Sequence, residues 1–196
     1  MSSVFDVVMI PLQLVIVFFT IYYFVISWFG LFGKMRQVKE YPEQKTFALI
    51  VCAHNEHAVI AQLVENLRKL NYSHKLYDIF VVADNCSDNT AQVARDAGAI
   101  VYERFSETGR GKGFAMDWMF QRLFSLDRQY DAVCVFDADN LVHPQFLKVM
   151  NDHLCSGEQV IQGYLDSKNP NDTWVSGMFA ISFWMVNHVW HLAKYN

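Results

Sequence analysis

The sequence predicts an α/β fold with a mostly parallel sheet and flanking helices, preceded by one transmembrane helix. Three observations carry this. Between residues 47 and 164, short apolar runs alternate with segments of helical periodicity. Three of those runs end in polar clusters, as strands do where they deliver side chains to a common rim. No charged residue lies between Asp6 and Lys34, and about 20 apolar residues are enough to cross a bilayer as a helix.

From the N-terminus, 1–6 is a short tail and 7–33 is the expected span. A signal peptide would carry a basic start, a shorter apolar region and a small-residue cleavage site. Here no Lys or Arg precedes the run, and Trp28, Phe29 and Phe32 close it. Lys34, Arg36 and Lys39 follow directly. By the positive-inside rule the remainder faces the cytoplasm of a cell-membrane protein. Residues 34–45, with Pro42, form the linker.

Residues 46–172 form the expected α/β domain. A first strand covers 47–53, and Val59, Ile60, Leu63, Val64, Leu67 and Leu70 then recur at helical spacing. A second strand covers 79–83. A short helix at 90–97 is closed by Gly98 as a left-handed cap, and a third strand covers 100–102. Ala115, Trp118, Met119, Leu123 and Leu126 mark the next helical face. The fourth strand, 132–136, is expected to be buried in the sheet. Pro144 is expected to begin the helix carrying Phe146, Leu147 and Met150, and 160–164 reads as a fifth strand. Residues 173–196 form an apolar interfacial or membrane-associated helix, interrupted by Asn187, His188 and His191.

Composition excludes several classes. The chain has 196 residues, 53% of them hydrophobic, and a net charge of −4. With no basic run, nucleic acid is not an expected partner. Cys52, Cys86, Cys134 and Cys155 show no Cys-x-x-Cys pairing, and a cytoplasmic face argues against disulfides and zinc. The same topology discounts the glycosylation patterns at Asn71, Asn85 and Asn171.

The strand ends carry the candidate chemistry. The first stops at Ala53-His54-Asn55-Glu56 and the second at Ala83-Asp84-Asn85-Cys86-Ser87-Asp88-Asn89-Thr90. Asp84, at the tip, is placed to accept hydrogen bonds from a base or ribose, whereas Asp88 reads as a helix cap. Gly109-Arg110-Gly111-Lys112-Gly113 precedes a helix. Its glycines let backbone amides approach phosphate, and Lys112 adds a charge. It is not a Walker A loop, because Gly113 stands where Ser or Thr is required. No Gly-x-Gly-x-x-Gly follows the first strand, which argues against a dinucleotide oxidoreductase. The fourth strand ends in Asp137-Ala138-Asp139. Strand alternation puts both carboxylates on one face, where a divalent cation such as Mg²⁺ or Mn²⁺ satisfies both and bridges to phosphate.

Together these tips resemble the nucleotide-sugar-binding half of family 2 glycosyltransferases, the A-type fold. Val51-Cys52-Ala53-His54-Asn55-Glu56 is similar to that family's strand plus Asn-Glu. Asp84 to Thr90 is similar to its Asp-Asp-x-Ser-x-Asp-x-Thr element, with Asn85 in place of the second acid. Gly111-Lys112-Gly113 resembles its Gly-Lys element, and Asp137-Ala138-Asp139 its metal motif. The resemblance implies that Asn55, Glu56 and Asp84, with Asn85 beside them, hold the nucleoside of a donor sugar, most often uridine. It implies that Lys112 lies near the diphosphate, that Asp139 binds Mg²⁺ or Mn²⁺, and that Asp137 sits near ribose or metal.

The implied reaction is inverting transfer of a hexosyl or N-acetylhexosaminyl group from a nucleotide-sugar donor to a glycan or lipid-linked acceptor beside membrane lipid. That is an expectation of polysaccharide-type synthesis. The family's Thr-Glu-Asp base and Gln-x-x-Arg-Trp strings do not occur in the chain. No general base is assigned, and the chain reads as C-terminally truncated, possessing the donor half and an incomplete acceptor half. Two other readings stand beside it: a non-catalytic, membrane-anchored nucleotide-sugar-binding or partner module, and an α/β phosphotransfer enzyme using the paired aspartates.

Overall fold

The structure is a computed structural model that describes residues 4–32 and 38–191. Its elements in order are α1 (Val4–Phe32), β1 (Phe47–Ala53), α2 (Ile60–Leu67), β2 (Tyr77–Asp84), α3 (Thr90–Asp96) and β3 (Ile100–Arg104). Next come α4 (Lys112–Leu123), β4 (Ala132–Asp137), α5 (Phe146–Cys155) and α6 (Trp174–Met185), which runs into a π-helical segment, Val186–His191. Two compact units result. Val38–Ile161 is the α/β unit; α1 belongs to the other, together with the chain from Gln162 onward.

The α/β unit is built on one fully parallel four-stranded sheet in the order β3-β2-β1-β4. The chain steps outward from β1 to β2 to β3. α4 then carries it back across to β4, on the other side of β1. Alternation along β1 divides the core. Phe47, Leu49, Val51 and Ala53 pack with α2, α3 and α5 on one face of the sheet, against Ile60, Leu63, Val64, Ala94, Leu147 and Met150. Ala48 and Ile50 face the other way, with Phe80 and Val82 of β2, and meet Ala115, Met119 and Leu123 of α4. A strand covered on both faces must be apolar at every position, and β1 reads Phe-Ala-Leu-Ile-Val-Cys-Ala.

Helix ends follow the expected chemistry where glycine is present. Gly98 takes φ +99° one residue past the last turn of α3. There it donates to Arg95 O at 2.9 Å while Ala99 donates to Ala94 O at 3.1 Å, the paired bonds of a Schellman cap. Gly157 ends α5 in the same way, at φ +94°. Before β1, the segment 41–45 is fastened to α5. Asn151, fully buried, accepts from the amides of Gln44 and Lys45 and from the Tyr72 hydroxyl, and donates to Pro42 O.

Three expectations need correction. Residues 160–164 form no strand: they join no ladder, and Val160 is 93% exposed. An apolar run becomes a strand only where an edge is offered to pair with it. β4 is not buried within the sheet. Among the described residues it pairs with β1 alone, which leaves Val135 37% exposed. Pro144 precedes α5 rather than starting it; Gln145 is the N-cap.

In the second unit, Val8–Gly30 within α1 is long and apolar enough to cross a membrane. The π-helical segment lies against α1, and Asn187 donates to Leu165 O and Phe183 O, both at 2.7 Å. α6 carries a Thr173–Ser176 capping box. It exposes Trp174, Met178, Phe179, Ile181 and Trp184. Residues 33–37 and 192–196, where Lys34 and Arg36 fall, lie outside the described residues.

Candidate donor-binding cleft

Parallel strands end together, so the tips of β1 and β2 open onto one cleft of about 400 Å³, completed by the start of α4. Cys52, His54, Asp84, Asn85, Arg110, Gly111 and Lys112 line it. Its walls come from three sequence segments that are far apart in the chain but adjacent at the carboxyl edge of the sheet.

Asp84 closes β2 and is 6% exposed. Its Oδ1 accepts from Arg104 Nη1 at 2.5 Å and from Asn85 Nδ2 at 3.1 Å. Among the described residues Oδ2 accepts no hydrogen bond, so the carboxylate keeps one acceptor open. Asn85 sits at φ 51°, a left-handed conformation that Asn tolerates. It is held there from both sides, donating its amide N–H to Arg104 O at 2.7 Å and accepting Ser106 N–H on Oδ1 at 2.8 Å. Its side chain ties the β2 tip to the loop after β3.

Asn55 performs the same service between β1 and β2. At φ 57°, its Oδ1 accepts from Ser87 N at 2.8 Å. Glu56 donates its amide to the hydroxyl of fully buried Thr90 at 2.8 Å, and its carbonyl accepts from Val59 and Ile60 to open α2. Asn55 and Glu56 therefore stand on the turn that follows β1 and, like Asp137 and Asp139, are not among the residues that line the cleft. Asp88 lies behind them. Its carboxylate accepts from the Thr90 hydroxyl at 2.6 Å, the Thr90 amide at 3.0 Å and His57 Nδ1 at 2.7 Å. These bonds, the Thr90 hydroxyl's foremost, hold its pKa well below the usual carboxylate range.

Gly111 is the N-cap of α4 at φ +105°, a conformation open to glycine at little cost. The first intrahelical bond runs from Ala115 N to Gly111 O at 3.2 Å. The amides of Lys112, Gly113 and Phe114 are thus left without a helical acceptor. Neither Gly111 nor Gly113 has any atom within 4 Å of where a Cβ would stand, so both leave the approach to those amides open. Arg110 and Lys112 flank them with positive charge. The Lys112 ammonium is paired with Asp137, which connects the tip of β4 to the cleft.

Asp139 does not share a strand face with Asp137. β4 ends at Asp137, and a turn closed by Asn140, whose amide donates to Asp137 O at 3.1 Å while its Oδ1 accepts from Asp137 N at 3.0 Å, carries Asp139. Strand alternation stops where that turn begins, so the single-face expectation is corrected. Both carboxylates are exposed. Among the described residues no group of three or more His, Cys, Asp or Glu side chains converges as a metal cage. Two exposed carboxylates, Asp137 paired with Lys112 and Asp139 on the turn beside it, are oxygen donors of the kind that Mg²⁺ or Mn²⁺ takes. Burial pushes the Cys52 thiol at the cleft wall up to about 11, which keeps it neutral and unreactive at physiological pH.

Arg104, Arg110 and His54 were not singled out by sequence reasoning. Arg104 ends a short strand whose first residues are partly exposed, and a single sequence offers no sign that its side chain turns inward. His54 Nδ1 lies 2.7 Å from Asp84 O, a contact between strands that only their register creates.

Comparison with known proteins bears on the fold and the family. A mannosyltransferase from Pyrobaculum calidifontis, solved in complex with GDP-Man and Mn²⁺, superposes with a TM-score of 0.58 over 80% of this chain and 45% of its own, at 18% identity; at that identity it shows the fold alone. A probable glycosyltransferase, YdaM of Bacillus subtilis, is 30% identical over 126 residues, 59% of this chain and 28% of its own length. The beta-monoglucosyldiacylglycerol synthase of Trichormus variabilis is 32% identical over 105 residues, 51% of this chain and 21% of its own. The chain thus spans less than a third of the length of either relative. The model of glycosyltransferase like family 2 matches residues 42–190, well over half of the chain, and the chain belongs to that family.

Proposed function

We propose that this chain forms the donor-binding part of a membrane-anchored, inverting glycosyltransferase that takes a nucleoside-diphosphate sugar, UDP-linked by preference, and serves a glycan or lipid-linked acceptor. The observation that carries it is the single cleft in which an acceptor-bearing carboxylate, Asp84, faces the open amides of α4 and the charges of Arg110 and Lys112. Asp84 Oδ2 accepts an N–H of the base, while Asn55, Glu56 and Asn85 shape the nucleoside side of the rim. The diphosphate lies on the amides of 112–114, where the helix dipole and Lys112 favour negative charge.

The donor set at the tip of β4 fits Mg²⁺ or Mn²⁺, which Asp137 and Asp139 would hold. When bound, such a cation offsets the charge that grows on the departing nucleoside diphosphate. Lys112 is poised for the same work, since its ammonium can leave Asp137 for a phosphate oxygen. The acceptor's general base is not assigned to any residue of this chain.

For the membrane, we read 7–33 as the span, 34–45 as a linker, 46–172 as the cytoplasmic donor domain and 173–196 as an interfacial helix. Lys34, Arg36 and Lys39 support the orientation, and the exposed apolar surface of α6 supports contact with membrane lipid.

The test is calorimetric titration of UDP into the full, detergent-solubilised chain, with and without Mn²⁺. Wild type binds UDP, and Mn²⁺ tightens it. Asp139→Ala loses the Mn²⁺-dependent gain and keeps the metal-free affinity. A wild-type chain that ignores UDP refutes the donor site, and an Asp139→Ala chain that still responds to Mn²⁺ refutes the metal assignment.

A further inference from the structure

We infer that Arg104 is a positioning residue that sets the base-binding and diphosphate-binding halves of the cleft at once, with one guanidinium. This rests on the donor-site reading given above.

Arg104 is 8% exposed, and the Asp84 side chain it meets is equally sheltered. Its Nη1 donates to Asp84 Oδ1 at 2.5 Å, and its Nη2 donates to Gly109 O at 2.7 Å. The first contact fixes the carboxylate whose other oxygen stays open. The second fixes the residue that leads into Arg110, Gly111 and the start of α4. A planar fork suits this task, since its donors point in set directions.

The loop between β3 and α4 is arranged around that side chain. Gly109 N donates to Ser106 Oγ at 3.2 Å, and Ser106 N donates to Asn85 Oδ1 at 2.8 Å. Asn85 N in turn donates to Arg104 O at 2.7 Å. The bonds form a closed circuit through the β2 tip, the β3 tip and the glycine loop. Gly109 leaves room for it: a Cβ there would stand 3.2 Å from Arg104 Nη2 and 3.2 Å from Phe114. Stability alone is a weak reason to keep such a pair. Burying two charges costs much of what their attraction returns, and apolar replacements are often neutral. Fixing two distant binding elements against one another is what an apolar pair could not do.

The experiment uses the full chain in detergent and three probes: UDP by calorimetry, then uridine and inorganic pyrophosphate as competitors. Arg104→Met is expected to weaken UDP about tenfold to a hundredfold, the loss of one or two charge-assisted contacts, and to weaken both competitors. Arg104→Lys keeps a cation beside Asp84 but cannot reach Gly109 O as well. It is expected to retain uridine competition and lose pyrophosphate competition. That split is a signature that general loosening of the fold does not produce, and it remains readable should Arg104→Met fail to fold.

Two results overturn the inference. One is UDP affinity unchanged in a folded Arg104→Met chain. The other is an Arg104→Lys chain in which uridine and pyrophosphate fall together with the melting temperature, which marks a merely structural pair. A wild-type chain without UDP affinity would instead remove the donor-site reading itself, so the two failures are distinguishable.

Discussion

Replacing Gly111 and Gly113 separately by alanine makes the same chemical change two residues apart and should shift stability in opposite directions. Neither site has an atom within 4 Å of the new methyl group, so packing contributes nothing to the difference. Backbone conformation alone decides. Gly111 sits at φ +105°, where an L side chain strains the backbone by about 1–2 kcal/mol. Gly113 lies in the first turn of α4, where alanine is favoured over glycine by about 0.5–1 kcal/mol.

The two variants should therefore differ by roughly 2 kcal/mol. At a urea dependence of about 2 kcal/mol per molar, their midpoints should lie about 1 M apart on either side of wild type. Urea unfolding of the full chain followed by circular dichroism measures this. Midpoints that move together, or a Gly111→Ala midpoint above wild type, would show that the turn into α4 is not what the backbone angles describe. UDP affinity adds a functional reading. Gly113→Ala should bind UDP more weakly despite its greater stability, because its methyl group stands where phosphate approaches the amides of 112–114.

Phe80→Ala should destabilise the α/β unit by about 3–5 kcal/mol, since the ring is 1% exposed and wedged against Tyr102 and Tyr130, whereas Val160→Ala should shift the same unfolding curve by under about 0.5 kcal/mol. Lys112→Met should leave the unfolding free energy within about 1 kcal/mol of wild type, because its ion pair with Asp137 is exposed on both sides, and should abolish measurable UDP binding in calorimetry. Burial raises the thiols of Cys52 to about 11 and Cys134 to about 12, and the Tyr72 phenol to about 12. Each group is ionised more easily when unfolded, so its stabilisation is complete below its ordinary pKa and is lost as pH rises through the folded value. Stability should fall from about pH 9 upward, and Cys134→Ala should flatten that fall by about 1.4 kcal/mol per pH unit, one proton's worth, in unfolding curves taken at pH 9–11.

The elements themselves were legible. Ile60, Leu63, Val64 and Leu67 recur at helical spacing because one side of α2 is covered by the sheet, and that side is where the structure buries them. Gly98 announced the end of α3, since few other residues take φ +99° cheaply. The polar tips of β1 and β2 were legible as a shared rim, because parallel strands must end on one side. Apolar character misled at Val160, where composition promises burial but no strand edge arrives to provide it.

By itself, then, the chain's order of residues determined what each segment could become: an apolar helix long enough to span a bilayer, four strands, their covering helices, and polar groups at the strand ends. These properties are local, because periodicity records which face of a segment meets the core. Only the tertiary structure decided which groups meet. The guanidinium of Arg104 against Asp84, the Lys112–Asp137 pair and the position of β4 at the sheet edge all depend on strand order and register. Contacts between residues twenty or more positions apart arise from how whole elements stack, and no short stretch of sequence contains that information.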